Sequence, residues 1–107
     1  MILNDGSIRL YLAERGLVVT PLGENAIRPA SIDLRLGPIL TIADANEPDG
    51  WRVHDLREVP YRLMVGAFVL GHTLEWVEIP PTLAGILAGK SSRAREGIQV
   101  EAAGYVD

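Results

Sequence analysis

Proline and glycine set the tightest limit on what this chain can fold into. Seven prolines and eleven glycines interrupt its 107 residues. Proline removes a backbone donor and glycine weakens the interior of any regular element, so the apolar runs between them suit short strands joined by turns. "LVVT" before Pro21, "SIDLRLG" at 31 to 37 and "PILTI" at 38 to 42 read as such strands, rich in branched residues. In "IDLRL", Ile32, Leu34 and Leu36 alternate with Asp33 and Arg35, which predicts one buried face. "AFVLG" and "TLEWVEIP" are strand-like too; in the second, Leu74 and Trp76 share one face while Thr73, Glu75 and Val77 take the other. "GIQVEAAGYVD" reads as another strand and a turn.

Helix signals are few. Asn4 or Asp5 caps a segment over about residues 5 to 15, where Ile8, Tyr11 and Leu12 form an apolar face and Gly16 ends it. "ADANEPDG", residues 43 to 50, is dense in turn formers and reads as an exposed loop; "WRVHDL" and the stretch to Pro60 are poorly defined. The expectation is one domain, residues 1–107, with a mainly β barrel or jelly-roll-like fold, an N-terminal helix and a short internal helix. The last residues are strand-like, and their edge is expected to be covered by another subunit or by further sequence.

Composition excludes several function classes. No apolar run approaches the roughly 20 residues that span a bilayer, and no signal or transit peptide is visible, so no membrane role and a cytoplasmic location are expected. With no cysteine and only His54 and His72 as imidazoles, no zinc or other protein-held metal is expected. A net charge of −4 argues against binding nucleic-acid backbones. Lys90, Arg93 and Arg95 nevertheless form one local cationic spot.

That spot begins in "GILAGKSSR", residues 85 to 93, which superficially resembles the phosphate loop of nucleotidases. Such a loop needs glycine, four residues and then Gly-Lys-Ser/Thr before a long helix. Here Ala84 occupies the first glycine's place and Gly97 stops any helix after about two turns, so the nucleotidase reading fails. Two readings stay open on the residues themselves: an anion site at the start of a short helix, or a plain serine N-cap.

The order of segments resembles the dCTP deaminases and their relatives, the trimeric dUTPases. "MILNDGSIRLYL", "GLVVTP", "RPASIDLRLG" and "FVLGHTLEWVEIPPTLAGILAGKSSRAREGIQVEAAGYVD" follow the deaminase pattern in order, with "PASIDLRLG" and "GKSSRAREG" the most specific. The resemblance implies a distorted β-barrel forming a homotrimer, with active sites at subunit boundaries. It also implies a deoxynucleoside triphosphate substrate, dCTP or dUTP, accompanied by Mg²⁺, and zinc-independent conversion of dCTP to dUTP and ammonia. By the same resemblance Ser91, Ser92 and Arg95 bind phosphate, Lys90 adds a point charge, and Ser91 and Arg95 also help hold the catalytic water and the pyrimidine. Gly104, Tyr105 and Asp107 are implied to line sugar and base, with Asp107 orienting water.

Two departures qualify the resemblance. Deaminases commonly read Val-His-Ala-Thr-Ala-Gly where this sequence has Val100-Glu101-Ala102-Ala103-Gly104, which puts the base preference in question. The family also continues with a Gly-Trp/Phe-x-Gly turn and a Leu-Glu strand supplying the general base; the sequence stops before it, so an incomplete deaminase site is expected. Glu75 is expected to be a surface carboxylate, with Glu101 a remote chemical substitute for the base. Asp33 and Arg35 are expected to pair with each other or with another subunit, and His72 to be a turn residue or subunit contact. Trp51 and Trp76 are expected to serve packing or a trimer interface, and His54 has no assigned role. A dUTPase, a bifunctional enzyme and a non-catalytic nucleotide-binding remnant are the alternatives to the deaminase.

Overall fold

The computed structural model describes residues 1–101 and 104–106. Helix α1 (Asp5–Glu14) begins where the Asn4 side chain accepts the Ser7 amide at 2.8 Å, and it ends at Gly16, whose φ of +81° suits glycine. Its inward face is the expected one, with Ile8 buried and Tyr11 and Leu12 half-buried. The Asp5 amide donates to the Pro29 carbonyl, which ties the helix start to the following strands.

Those strands are short and pair antiparallel. β1 (Val18–Thr20) pairs with β7 (Trp76–Glu78), setting Val19 opposite Val77. β2 (Ile27–Arg28) and β3 (Ser31–Ile32) form a small hairpin. β4 (Ile39–Ala43) lies between β5 (Trp51–Asp55) and β6 (Val69–Leu70), while β8 (Gly85–Ile86) pairs with β9 (Tyr105–Val106). The short helix α2 (Ser91–Ala94) sits between the last two strands. The architecture is mainly β, as expected, and among the described residues its small sheets do not close into a barrel. Ile8, Leu17, Val19, Ala26, Leu40 and Ile42 form the buried apolar core.

Three expectations need correction. "SIDLRLG" is a strand only at Ser31–Ile32, with an isolated bridge from Leu36 to Thr73. The reason is a change of partner: the Asp33 amide donates to the Ala26 carbonyl and the Arg35 amide to a side chain, so no ladder forms between them. The supposed buried face is half-buried at Ile32 and Leu34, and Leu36 is exposed. The stretch after Trp51 is a well-formed strand whose register runs from Ile39 opposite Asp55 to Ala43 opposite Trp51, closed by an Asp44 amide to Gly50 carbonyl bond.

Glu75 is the third correction. Far from lying at the surface, it is buried at 4% exposure, and its carboxylate accepts the Arg35 amide at 2.8 and 3.1 Å and Arg35 Nε at 3.2 Å. Arg35 Nη2 donates onward to the Pro21 carbonyl at 2.8 Å. Burial pushes the Glu75 carboxyl up, but the bonds from the Arg35 amide and guanidinium outweigh it and hold the group below the usual carboxylate range. Arg35 therefore pairs with Glu75, not with Asp33. On the opposite face of that run Leu74 and Trp76 are exposed, as is Trp51, so neither tryptophan packs into the core.

A close seam holds the two corrected segments together. The Gly37 amide donates to the His72 carbonyl at 2.7 Å and the Leu74 amide to the Arg35 carbonyl at 2.8 Å. A methyl group at Gly37 would stand 2.6 Å from His72 Nδ1 and 3.0 Å from the His72 carbonyl oxygen, too close for either to accommodate unmoved. Beyond this framework the fold is open. The Cα radius of gyration is 16.1 Å, against roughly 13 Å for a compact domain of this length. The accessible surface is 8409 Å², against roughly 5,800 Å² for a compact monomer of this mass.

Candidate functional site

Residues 85–101 and 104–106 form a hairpin-like unit. β8 and β9 make its root, with Ile86 opposite Tyr105, and the Leu87 amide donates to the Gly104 carbonyl at 2.9 Å. Close approach of the two arms continues upward: a methyl group at Gly89 would touch the Val100 side chain at 3.4 Å. The coil between them turns through α2 and then reverses at Gly97, where φ is +88°. Two motif stretches distant in sequence thereby meet, with Gly104 and Tyr105 beside Ile86 and Leu87 at the root of the coil that carries Lys90, Ser91, Ser92 and Arg95. Asp107 lies outside the described residues.

The serine-cap reading does not hold. Lys90, not a serine, occupies the N-cap with extended backbone, and no side chain caps the helix. Ser91 and Ser92 are its first two residues. Among the described residues their amides and hydroxyls have no hydrogen-bond partner, leaving a cluster of donors directed at no protein group. Every residue from Ile86 to Glu101 is exposed, so these donors face solvent.

The cations of this unit differ in how they are engaged. Arg93 forks onto Glu96 with Nη1 at 3.2 and 2.9 Å from its two oxygens. Lys90 Nζ lies 2.6 Å from Asp33 Oδ2, so Asp33 pairs across the fold and not with Arg35. Arg95 has no carboxylate partner among the described residues, while its amide closes the helix onto the Ser91 carbonyl at 3.1 Å. The coil thus offers a planar guanidinium and two hydroxyls, a donor set that matches phosphate oxygens. The carboxylate brought to this coil, Asp33, is already bonded to a lysine, so the arrangement suits an anion rather than a bare metal ion.

Beside the coil runs a groove of about 720 Å³, lined by residues 63–68 on one side and by Glu96, Gly97, Ile98, Gln99 and Glu101 on the other. A smaller cavity of about 250 Å³ lies between Arg9 and the 22–27 turn, away from the coil. Sequence reasoning missed that Asp33 reaches Lys90 and that Glu75 is internal. The second was visible in principle, since Glu75 alternates in phase with Val77, whose neighbour across the ladder is the core residue Val19.

A model of the dCTP deaminase-like family matches residues 2–107. The chain belongs to that family. It is 40% identical to a "dCTP deaminase, dUMP-forming" of Dictyoglomus turgidum over all of its own length and 63% of the relative's. It is 37% identical to a protein of the same name from Sulfurihydrogenibium sp., covering 65% of that relative, and 41% identical to a "dCTP deaminase" of Halorubrum lacusprofundi, covering 61%. This member of the dCTP deaminase-like family therefore spans somewhat under two thirds of the length of the relatives it matches. Among its described residues no helix is long and apolar enough to cross a membrane.

Proposed function

We propose that this chain serves hydrolytic deamination of dCTP, giving dUTP and ammonia, with the coil at Lys90–Arg95 gripping the triphosphate. The observation that carries the reading is the family match over residues 2–107, joined to a coil whose Ser91, Ser92 and Arg95 donors lack protein partners among the described residues. Arg95 presents its fork to phosphate oxygens, and the Ser91 and Ser92 hydroxyls and amides add shorter-range bonds. In this reading Mg²⁺ arrives on the nucleotide, held by phosphate oxygens and water, and lowers the charge that the coil must balance. Ser91 and Arg95 also hold the water and the pyrimidine ring, Gly104 and Tyr105 line the sugar, and Asp107 orients the water.

An exposed coil is a weak anion site, because water screens each interaction. We place the working site where subunits of a homotrimer meet, which would cover the coil and much of the excess surface. Trp76 at 66% exposure, Ile86 at 73% and Tyr105 at 73% are the kind of side chain such an interface buries. The natural setting of a deoxynucleotide enzyme of this type is the cytoplasm.

A second reading is favoured by the relatives' names, two of the three cited being "dUMP-forming". In it dCTP and two waters yield dUMP, ammonia and pyrophosphate. Incubating the chain with dCTP and Mg²⁺ and resolving the products tests both: ammonia with dUTP supports the first reading, ammonia with dUMP and pyrophosphate the second. Triphosphate binding by calorimetry without any product would indicate a non-catalytic nucleotide-binding chain, and no binding would overturn the assignment of the coil.

A further inference from the structure

We infer that Asp33 is the positioning residue of the phosphate coil, acting through Lys90. Among the described residues, the Lys90 to Asp33 bond is the one hydrogen bond or ion pair between residues 85–106 and residues 1–80. The two partners are mounted very differently. Asp33 belongs to a segment pinned on both sides, by its own amide on the Ala26 carbonyl at 2.8 Å and by the Arg35 amide on the buried Glu75 carboxylate at 2.8 Å. Lys90 belongs to a coil in which every side chain is exposed. The fixed end is therefore Asp33, and the end whose place is being set is the N-cap of the helix bearing Ser91, Ser92 and Arg95.

This assigns a chemical role to each half of the family's two most specific stretches. The acidic residue of "PASIDLRLG" anchors, the lysine of "GKSSRAREG" receives the anchor, and the next residues are left to bind. Lys90 then contributes by holding the coil in register more than as a free charge, since a carboxylate at 2.6 Å already balances it. Glu75 sits one step further back: through Arg35 it stiffens the segment from which Asp33 projects.

The nucleotide arm of the test rests on the phosphate reading proposed above, so a second arm is independent of it. Hydrogen exchange on the unliganded chain reads the tether directly. In Asp33→Asn the amides of Leu87 and of residues 93–98 should exchange roughly three- to five-fold faster, the scale set by a well-formed but solvent-accessible ion pair, with the β4–β5 amides unchanged. Lys90→Met should do the same, and it leaves the anchored segment untouched should Asp33→Asn fold poorly. Calorimetry with dCTP and Mg²⁺ should show either variant weakened by about the same factor, and the double variant no weaker than either single one. Unchanged exchange in the coil would overturn the inference, as would a tighter-binding Asp33→Asn or additive losses in the double variant. A wild-type chain that bound no triphosphate would refute the phosphate reading while the exchange result still decided the tether.

Discussion

The six buried apolar side chains, from Ile8 to Ile42, all belong to residues 1–80, whereas no residue from Ile86 to Glu101 is even half-buried. The first region holds itself together with a small core, a three-stranded sheet and an internal carboxylate satisfied by three bonds. The second has a two-residue ladder at its root, a helix of one turn and a single polar tie to the rest among the described residues. The residues that the family resemblance implicates concentrate in the second. The contrast teaches that packing and free donors are divided here: one region is a packed framework, while the other leaves the Ser91, Ser92 and Arg95 side chains without protein partners among the described residues and belongs to the low-stability end of the molecule.

Substitutions should separate the two regions cleanly. The largest effect belongs to the core: Leu40→Ala removes a side chain that is 5% exposed, and denaturant melts should show a loss of about 2–5 kcal/mol. Arg35→Met should follow with about 2–3 kcal/mol, less than a fully broken buried pair because the backbone bonds to Glu75 survive. A hairpin change of comparable cost to either would erase the distinction between the regions.

Arg95→Ala tests the other half. Triphosphate binding measured by calorimetry should weaken about ten- to a hundred-fold, the worth of a charge-assisted fork, with the melting temperature unmoved. A drop in melting temperature would assign the guanidinium to the fold instead. Acid titration sharpens the comparison further. Because the folded Glu75 carboxyl lies below its ordinary value of 4.5, its contribution is complete above that pH and is lost as the pH falls through the lower folded value. Wild type should therefore lose stability on acidification below pH 4.5 more steeply than Glu75→Gln, with urea melts followed by far-UV circular dichroism as readout. The smallest effect should come from Ile98→Ser on the exposed groove wall, within about 0.5 kcal/mol for the single chain.

Much of this organisation was legible in the sequence. Asn4, the Ile8–Tyr11–Leu12 face and Gly16 delimit the helix as elementary capping and periodicity require, and the branched runs before Pro21 and after Gly37 are strands. The candidate coil was legible through its segment order, because Ser91, Ser92 and Arg95 lie in "GKSSRAREG", one of the stretches that carry the resemblance. What escaped was set by partners remote in the chain. β5 exists because β4 pairs with it, not because its own residues alternate, and Val53 is exposed at 67%. Asp33 and Arg35 stand on one side of a presumed strand, which suggested a mutual pair. Glu75 and Lys90, 40 and 57 residues away along the chain, claim them instead.

The seam at Gly37 carries one more consequence. Its amide and the neighbouring backbone lie so near His72 that the missing side chain is a clearance built into the fold, and filling it would wedge the two strands of chain apart. Arg35 and Asp33 hang from the wedged side, so the disturbance would travel along a lever: a methyl group at residue 37 would swing the hook on which Lys90 and its coil are hung.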